Sequence, residues 1–101
     1  MDSFAIIAEP NRRSILSLLT SSERSVGEIE RRLRMPQTSV SKHLRVLREA
    51  GFVSPRVVAQ QRHYRLEPNA FAELDEWLAH FRPFWTKTLD ALQAHLDEKE
   101  H

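Results

Sequence analysis

The sequence predicts a mainly α-helical fold carrying one small β-hairpin, and three observations lead there. Apolar residues recur at steps of three and four along most of the chain, the mark of amphipathic helices. Residues 52–66 break that period and alternate instead, as a half-buried pair of strands does. With 101 residues, two glycines and no repeat or long linker, the chain is the size of one compact domain.

A short first segment places Phe4 and Ile7 three apart, on one helix face. Glu9-Pro10-Asn11 interrupts it, and Pro10 suits the first position of a helix, where a missing N–H costs nothing. That second helix runs to about Leu19, with Ile15, Leu18 and Leu19 inward. Ser21 to Arg24 reads as a loop. Ser25 is then a helix N-cap, Glu28 completes a capping box, and Val26, Ile29 and Leu33 form the inward stripe. Arg34-Met35-Pro36 is the next break. The helix after it turns Val40, Leu44 and Leu47 inward and ends at Gly51, where a left-handed backbone is commonly needed.

In the alternating stretch, Val53, Val57 and Val58 lead to a polar tip around Ala59-Gln60-Gln61. Tyr64 and Leu66 then point in, with His63 and Arg65 out. The tip has neither Gly nor Asn, so a turn longer than two residues is expected, and Pro55 suits an edge strand. From Pro68 to about Glu98 a helical stripe runs through Phe71, Leu74, Leu78, Phe81, Trp85, Leu89, Leu92 and Leu96. Trp77 and Phe84 lie beside it, and Pro83 should kink or divide the helix near Phe81-Arg82. The whole is a helix-turn-helix with a wing at about 52–66, then one or two C-terminal helices over 68–98, within a single domain of residues 1–101.

The net charge of +1 conceals an asymmetry. Met1 to Leu66 holds twelve Lys/Arg against six Asp/Glu, whereas Glu67 to His101 holds three against eight. A basic half of this size is what a phosphate-binding surface requires, although solvated helix faces alone can produce such a split. The absence of cysteine excludes disulfides and thiolate chemistry. No apolar run approaches the roughly 18 residues of a membrane span, and Met1-Asp2-Ser3-Phe4 lacks a secretory start, so no membrane partner and a cytoplasmic location are expected.

The helix between Pro36 and Gly51 has the two faces that major-groove reading demands. With successive residues about 100° apart and Val40 at zero, Leu44 and Leu47 fall within roughly 40°. Thr38, Ser41, Lys42 and Arg45 fall roughly 100° to 200° away. Small hydroxyls permit close approach, Lys and Arg pair with guanine or phosphate, and Gln37 in the first turn can reach an adenine edge or a phosphate. Ser39 and Arg48 flank that face, where phosphates are the nearer target, and His43 sits to one side as a partly packed residue. Arg56, Arg62, His63 and Arg65 equip the hairpin to lie along the backbone or minor groove, where Arg is favoured. An ordinary solvated hairpin would look the same.

These residues carry a resemblance. Ala8-Glu9-Pro10-Asn11-Arg12-Arg13 with Ile15-Leu16 resembles the A-[DE]-P-[TN]-R opening of ArsR-type repressors, and Ser25-Val26-Gly27-Glu28-Ile29 continues it. The most specific stretch, QTSVSKHLRVLREAGFV over 37–53, is similar to that family's recognition helix. Trp77-Leu78-Ala79, Phe84-Trp85 and Leu89-Asp90-Ala91-Leu92 are similar to a metal-independent branch, whose members often repress their own genes. The resemblance implies a winged-helix homodimer joined through its first and last helices, and the half-site spacing of such a dimer matches a roughly palindromic double-stranded operator. Phe4, Ile7, Phe81, Trp85, Leu89, Leu92 and Leu96 then form the interface, and they also offer more apolar surface than so small a core can cover. Packing of this stripe on its own domain is the alternative. Arg34, Pro36 and Ala59 depart from the family's turn glycine, capping serine and wing-tip glycine.

Metal-sensing relatives use cysteines, or Asp-x-His with a distant His-x-x-Glu. Here Leu78 precedes His80 in place of Asp, and only His95 with Glu98 keeps half a pattern, so no metal and no cofactor are expected. No nucleophile–base arrangement or glycine-rich phosphate loop suggests catalysis. Two rivals remain: a winged helix that binds protein instead of DNA, and a regulator holding a small-molecule inducer near Trp77, Phe84 and Trp85.

Overall fold

The computed structural model describes residues 1–99; Glu100 and His101, the last two residues of the expected domain, lie outside them. Six helices and three strands follow in the order α1 (Ser3–Ala8), α2 (Pro10–Leu19), β1 (Arg24–Ser25), α3 (Val26–Leu33), α4 (Gln37–Glu49), β2 (Val53–Val58), β3 (Gln61–Leu66), α5 (Ala72–Ala79) and α6 (Arg82–Lys99). A 3-10 turn at Pro68–Phe71 leads into α5. The fold is the mainly helical, winged arrangement the periodicities predict.

The family-like opening has a local physical reason. The Glu9 carboxylate accepts the Arg12 N–H at 2.9 Å and caps α2, while Pro10 occupies its first position. The two arginines that follow turn back to α1. Arg12 donates to the carbonyls of Ile6 (2.7 Å) and Ala5 (3.2 Å), and Arg13 to those of Ile7 (2.6 Å) and Ala8 (3.1 Å). The last four carbonyls of a helix lack partners within it. Here two guanidinium groups supply all four, so a six-residue helix is held without a C-cap glycine.

Ile15, Leu16, Leu19, Ile29, Val40, Leu44, Leu47, Phe52, Val53 and Tyr64 form the core, joined by Ile6 and Leu74, and no polar side chain is buried among the described residues. Two expectations need adjusting. In α1 the deepest residue is Ile6, with Phe4 and Ile7 only half-buried against the core. In α2 Leu16 is buried and Leu18 is only partly so, because the helix is gripped from α1 as well as from α4.

Ser25 caps α3 as expected, its hydroxyl accepting the Glu28 N–H at 3.2 Å. The Glu28 carboxylate meets Arg24 at 3.2 Å. Past Glu49, Gly51 takes a φ of +84° and lets the Phe52 N–H reach the Leu47 carbonyl at 2.9 Å, closing α4 and turning Phe52 into the core. Arg34 makes the corresponding left-handed turn after α3 without being glycine (φ 54°), and Pro36 offers α4 no side-chain cap.

The sheet has the order β1-β3-β2, antiparallel throughout. The two-residue β1 lies in what reads as a loop by sequence, because two residues show no period. Pro55 is on the edge strand, as expected. The hairpin tip differs from expectation. Val58 pairs with Gln61, so Ala59 and Gln60 alone make the turn, with φ of 49° and 68°. Two successive positive φ values are the geometry of the tightest hairpin turn, which normally selects Asn-Gly. The pairing of β2 with β3 imposes it on residues that dislike it, at about 1 kcal/mol or more each. Replacing the pair (Ala59→Asn with Gln60→Gly) should therefore raise stability by about 1 kcal/mol. A urea midpoint that does not rise would show the turn to be unstrained.

The C-terminal stripe divides at Pro83 as predicted: α5 ends at Ala79 and α6 begins at Arg82. Phe71 and Leu74 turn into the core, Phe71 meeting Phe52 edge-on at 5.0 Å. Further along, the stripe lies open among the described residues, and α6 has no buried residue. The chain is consequently elongated, 60 × 29 × 21 Å, with a radius of gyration of 18.1 Å. A compact chain of this length would have about 13 Å.

Candidate nucleic-acid interface

Burial of Val40, Leu44 and Leu47 fixes the rotation of α4 and so decides what it turns outward. Thr38, Ser41, Lys42 and Arg45 are all exposed on the face opposite that stripe, Gln37 is exposed in the first turn beside Leu44, and Ser39 is half-buried at the side. Arg45 keeps only a loose contact, Nε to the Glu49 carboxylate at 3.2 Å, with both side chains largely in solvent. His43 is partly packed, as expected: its Nδ1 lies 3.7 Å from the Glu9 carboxylate at the start of α2.

Between α4 and the wing runs a cleft of about 310 Å³, lined by Gln37, Ser41, Arg45 and Arg48 on one side and Arg62 on the other, with Val26, Leu44 and Tyr64 completing it. Arg62 reaches it because β3 alternates. It shares the helix-facing side with buried Tyr64, two residues nearer the tip, where the core has ended and a charged head can stay wet.

The other two wing arginines are not brought to this cleft. By the same alternation Arg56 and Arg65 face the outer side of the hairpin, and each is held there. Arg56 Nε donates to both carboxylate oxygens of Glu23 at 3.0 Å, linking β2 to the loop before β1. Arg65 Nε donates to the Ser54 hydroxyl at 3.2 Å and lies 3.4 Å from Glu67. Much of the positive charge in the basic half is thus structural, since Arg12, Arg13, Arg24 and Arg56 all serve contacts within the chain.

The ion pairs leave a titration signature. Hydrogen bonding from Arg56 holds the Glu23 carboxyl below its ordinary 4.5, and hydrogen bonding from Arg24 does the same for Glu28. Groups whose folded value is depressed contribute stability that is present above the unfolded value and lost as pH falls through the folded one. Glu23→Gln should therefore lose less of its urea midpoint than the parent on acidification below about pH 4.5. Identical acid limbs would show that the Glu23–Arg56 pair contributes nothing.

Away from this face, aromatic rings step from α1 toward α6. Phe4 meets Trp77 at 5.3 Å, Trp77 meets Phe81 at 4.9 Å, and Phe81 meets Trp85 at 6.3 Å. Phe81, Trp85, Leu89, Leu92 and Leu96 are exposed, Leu89 at 63%. Beside the ladder an apolar cavity of about 430 Å³ opens between α1, α2 and α5, lined by Phe4, Ile7, Leu16, Phe71, Leu74 and Trp77. Of the three aromatics expected around a ligand only Trp77 is there; Phe84 and Trp85 lie further along, on α6. The His80 ring contacts the Trp77 carbonyl at 3.1 Å, and no group of three potential ligands gathers around a metal position among the described residues.

The fold and this face define a winged helix-turn-helix with its reading helix outward. Residues 9–54 match the family described as bacterial regulatory protein, arsR family. Over 93 residues the chain is 33% identical to the HTH-type transcriptional regulator Rv2034 of Mycobacterium tuberculosis, covering 92% of this chain and 84% of that one. It is 43% identical over 72 residues to the biofilm growth-associated repressor of Agrobacterium fabrum, covering 71% and 62%. A crystal structure of a possible transcriptional regulator for arsenical resistance superposes with a TM-score of 0.70 at 41% identity, covering 93% of this chain and 95% of the other. The chain belongs to the ArsR family, and it is a DNA-binding transcriptional regulator. No helix of the described residues is long and apolar enough to cross a membrane.

Proposed function

We propose that the protein acts in the cytoplasm as a homodimeric repressor that blocks its own or a neighbouring promoter, without a catalytic step. The observation that carries this reading is the outward face of α4, where Thr38, Ser41, Lys42 and Arg45 are exposed, beside a cleft lined by Gln37, Ser41, Arg45 and Arg48 and edged by Arg62. Gln37, Thr38, Ser41 and Arg45 read base edges, Ser39 and Lys42 hold phosphates, and Arg62 is the wing's contact. Arg56 and Arg65 serve instead to brace the wing through Glu23 and Glu67. Two protomers joined along Phe4, Ile7, Phe81, Trp85, Leu89, Leu92 and Leu96 set two reading helices about 34–36 Å apart, matching half-sites one helical turn apart on a palindrome. The uncovered stripe of α6 supports that pairing, since soluble chains rarely leave so long an apolar surface open. A small apolar inducer in the cavity beside Trp77 would push on α1 and α5 and change the spacing of the heads; tryptophan fluorescence reads its entry.

The test is fluorescence anisotropy on DNA from immediately upstream of the gene, against scrambled DNA, across a salt series. Tight, salt-dependent binding that prefers the native DNA supports the reading. Weak binding to both, with little salt dependence, overturns it and points to a protein partner for the wing and α4.

A further inference from the structure

The twelve arginines sort unevenly. Arg12 and Arg13 cap α1, and Arg24, Arg45, Arg56, Arg65 and Arg82 each hold a carboxylate. The other five, Arg31, Arg32, Arg34, Arg48 and Arg62, have no ion-pair partner among the described residues. Four of those five line two adjoining hollows. Arg48 and Arg62 edge the cleft beside α4, while Arg31, Arg32 and Arg62 line a notch of about 600 Å³ between α3 and the wing tip, which shares Val26 with that cleft. The only carboxylate lining the notch among the described residues is Glu28, and Arg24 already engages it.

We propose that this notch is a phosphate site that grips the DNA backbone beyond the stretch read by α4. The proposal rests on the DNA-binding reading and adds to it a contact that neither the sequence pattern nor α4 assigns. Three cations drawn into one concave place repel one another, and an anion arriving there relieves that repulsion while losing little water-exposed surface on the protein. Duplex DNA is the occupant because the notch opens from the same cleft as the reading face, so a strand leaving α4 passes Arg62 before it reaches Arg31 and Arg32. Gly27 lies on the floor of the notch: a Cβ there would stand 3.4 Å from the Arg31 guanidinium, which lies back over the first turn of α3. Arg31 and Arg32 fall in the last turn of α3, where basic residues are ordinary, so no period or cap in the sequence marks them as functional. A glycine one turn before paired arginines is the sign that was there to find.

Phosphate contacts carry no sequence information and make binding salt-dependent. Arg31→Ala with Arg32→Ala should weaken binding to native and scrambled DNA by the same factor. The slope of log affinity against log salt should become shallower by about 0.9 for each phosphate no longer neutralised, and by twice that for a dimer. Between 50 and 200 mM salt the parent's advantage then shrinks about 3.5-fold per phosphate. Gly27→Glu tests the same notch without removing any side chain. It places a carboxylate in the first turn of α3, where acidic residues favour the helix, so the variant should unfold no more readily than the parent. It should nonetheless bind both DNAs more weakly and with a shallower slope. Unchanged slopes in both variants overturn the phosphate site, as does a loss confined to native DNA. Failure of the parent to bind DNA at all is a different result, and it sinks the DNA reading together with this site.

Discussion

Leu92→Asp should appear as a monomer in light scattering and should bind its operator two to four orders of magnitude more weakly than the parent. Leu92 is 54% exposed on α6 and stands between Leu89 and Leu96 on a stripe left open by the described residues of its own chain. If a second copy covers it, a carboxylate there must be desolvated among leucines, and no cation of this stripe is at hand to pair with it. The two heads are then uncoupled, and the second half-site must be bound from solution rather than from a neighbour already in place. The head itself should remain folded, because α6 contributes no buried residue to its core. Leu89→Asp should behave alike. An intact dimer in either variant would remove the interface from α6.

The second large effect is expected at the reading face. Lys42→Ala with Arg45→Ala should lower operator affinity by at least tenfold per half-site, given roughly 1–3 kcal/mol for a good base contact. Arg45 should account for most of the lost preference between native and scrambled DNA, and Lys42 for a loss shared by both. Stability should hardly change. Both side chains are exposed, and the Arg45–Glu49 contact is an i,i+4 surface pair of the kind that contributes little. Unchanged affinity in a folded double variant would mean that α4 does not read this operator.

The orientation of α4 was legible because burial alone sets it. Once Val40, Leu44 and Leu47 are known to point inward, the 3.6-residue period places Ser41, Lys42 and Arg45 on the far side. The break at Pro83 was legible for an equally local reason, since a proline removes an N–H and collides with the preceding turn. The wing tip misled for the same reason. Local preference argued for a longer loop, while the register of six facing pairs between β2 and β3 left only Ala59 and Gln60 to turn in. Tertiary pairing overrode local preference there, at the cost of backbone strain.

The fate of individual charges lay beyond local reading altogether. Arg56 and Arg62 look equivalent in the sequence, six residues apart on one hairpin. One is clamped by Glu23, 33 residues away, while the other faces a cleft built by α4. Periodicity and capping, which act within a few residues, determined the helices, the wing and the outward face of α4. Which arginines hold a carboxylate and which have none among the described residues was decided only by contacts that bring distant segments together, and the exposure of the α6 stripe by the lack of them. Such contacts leave no period in the chain.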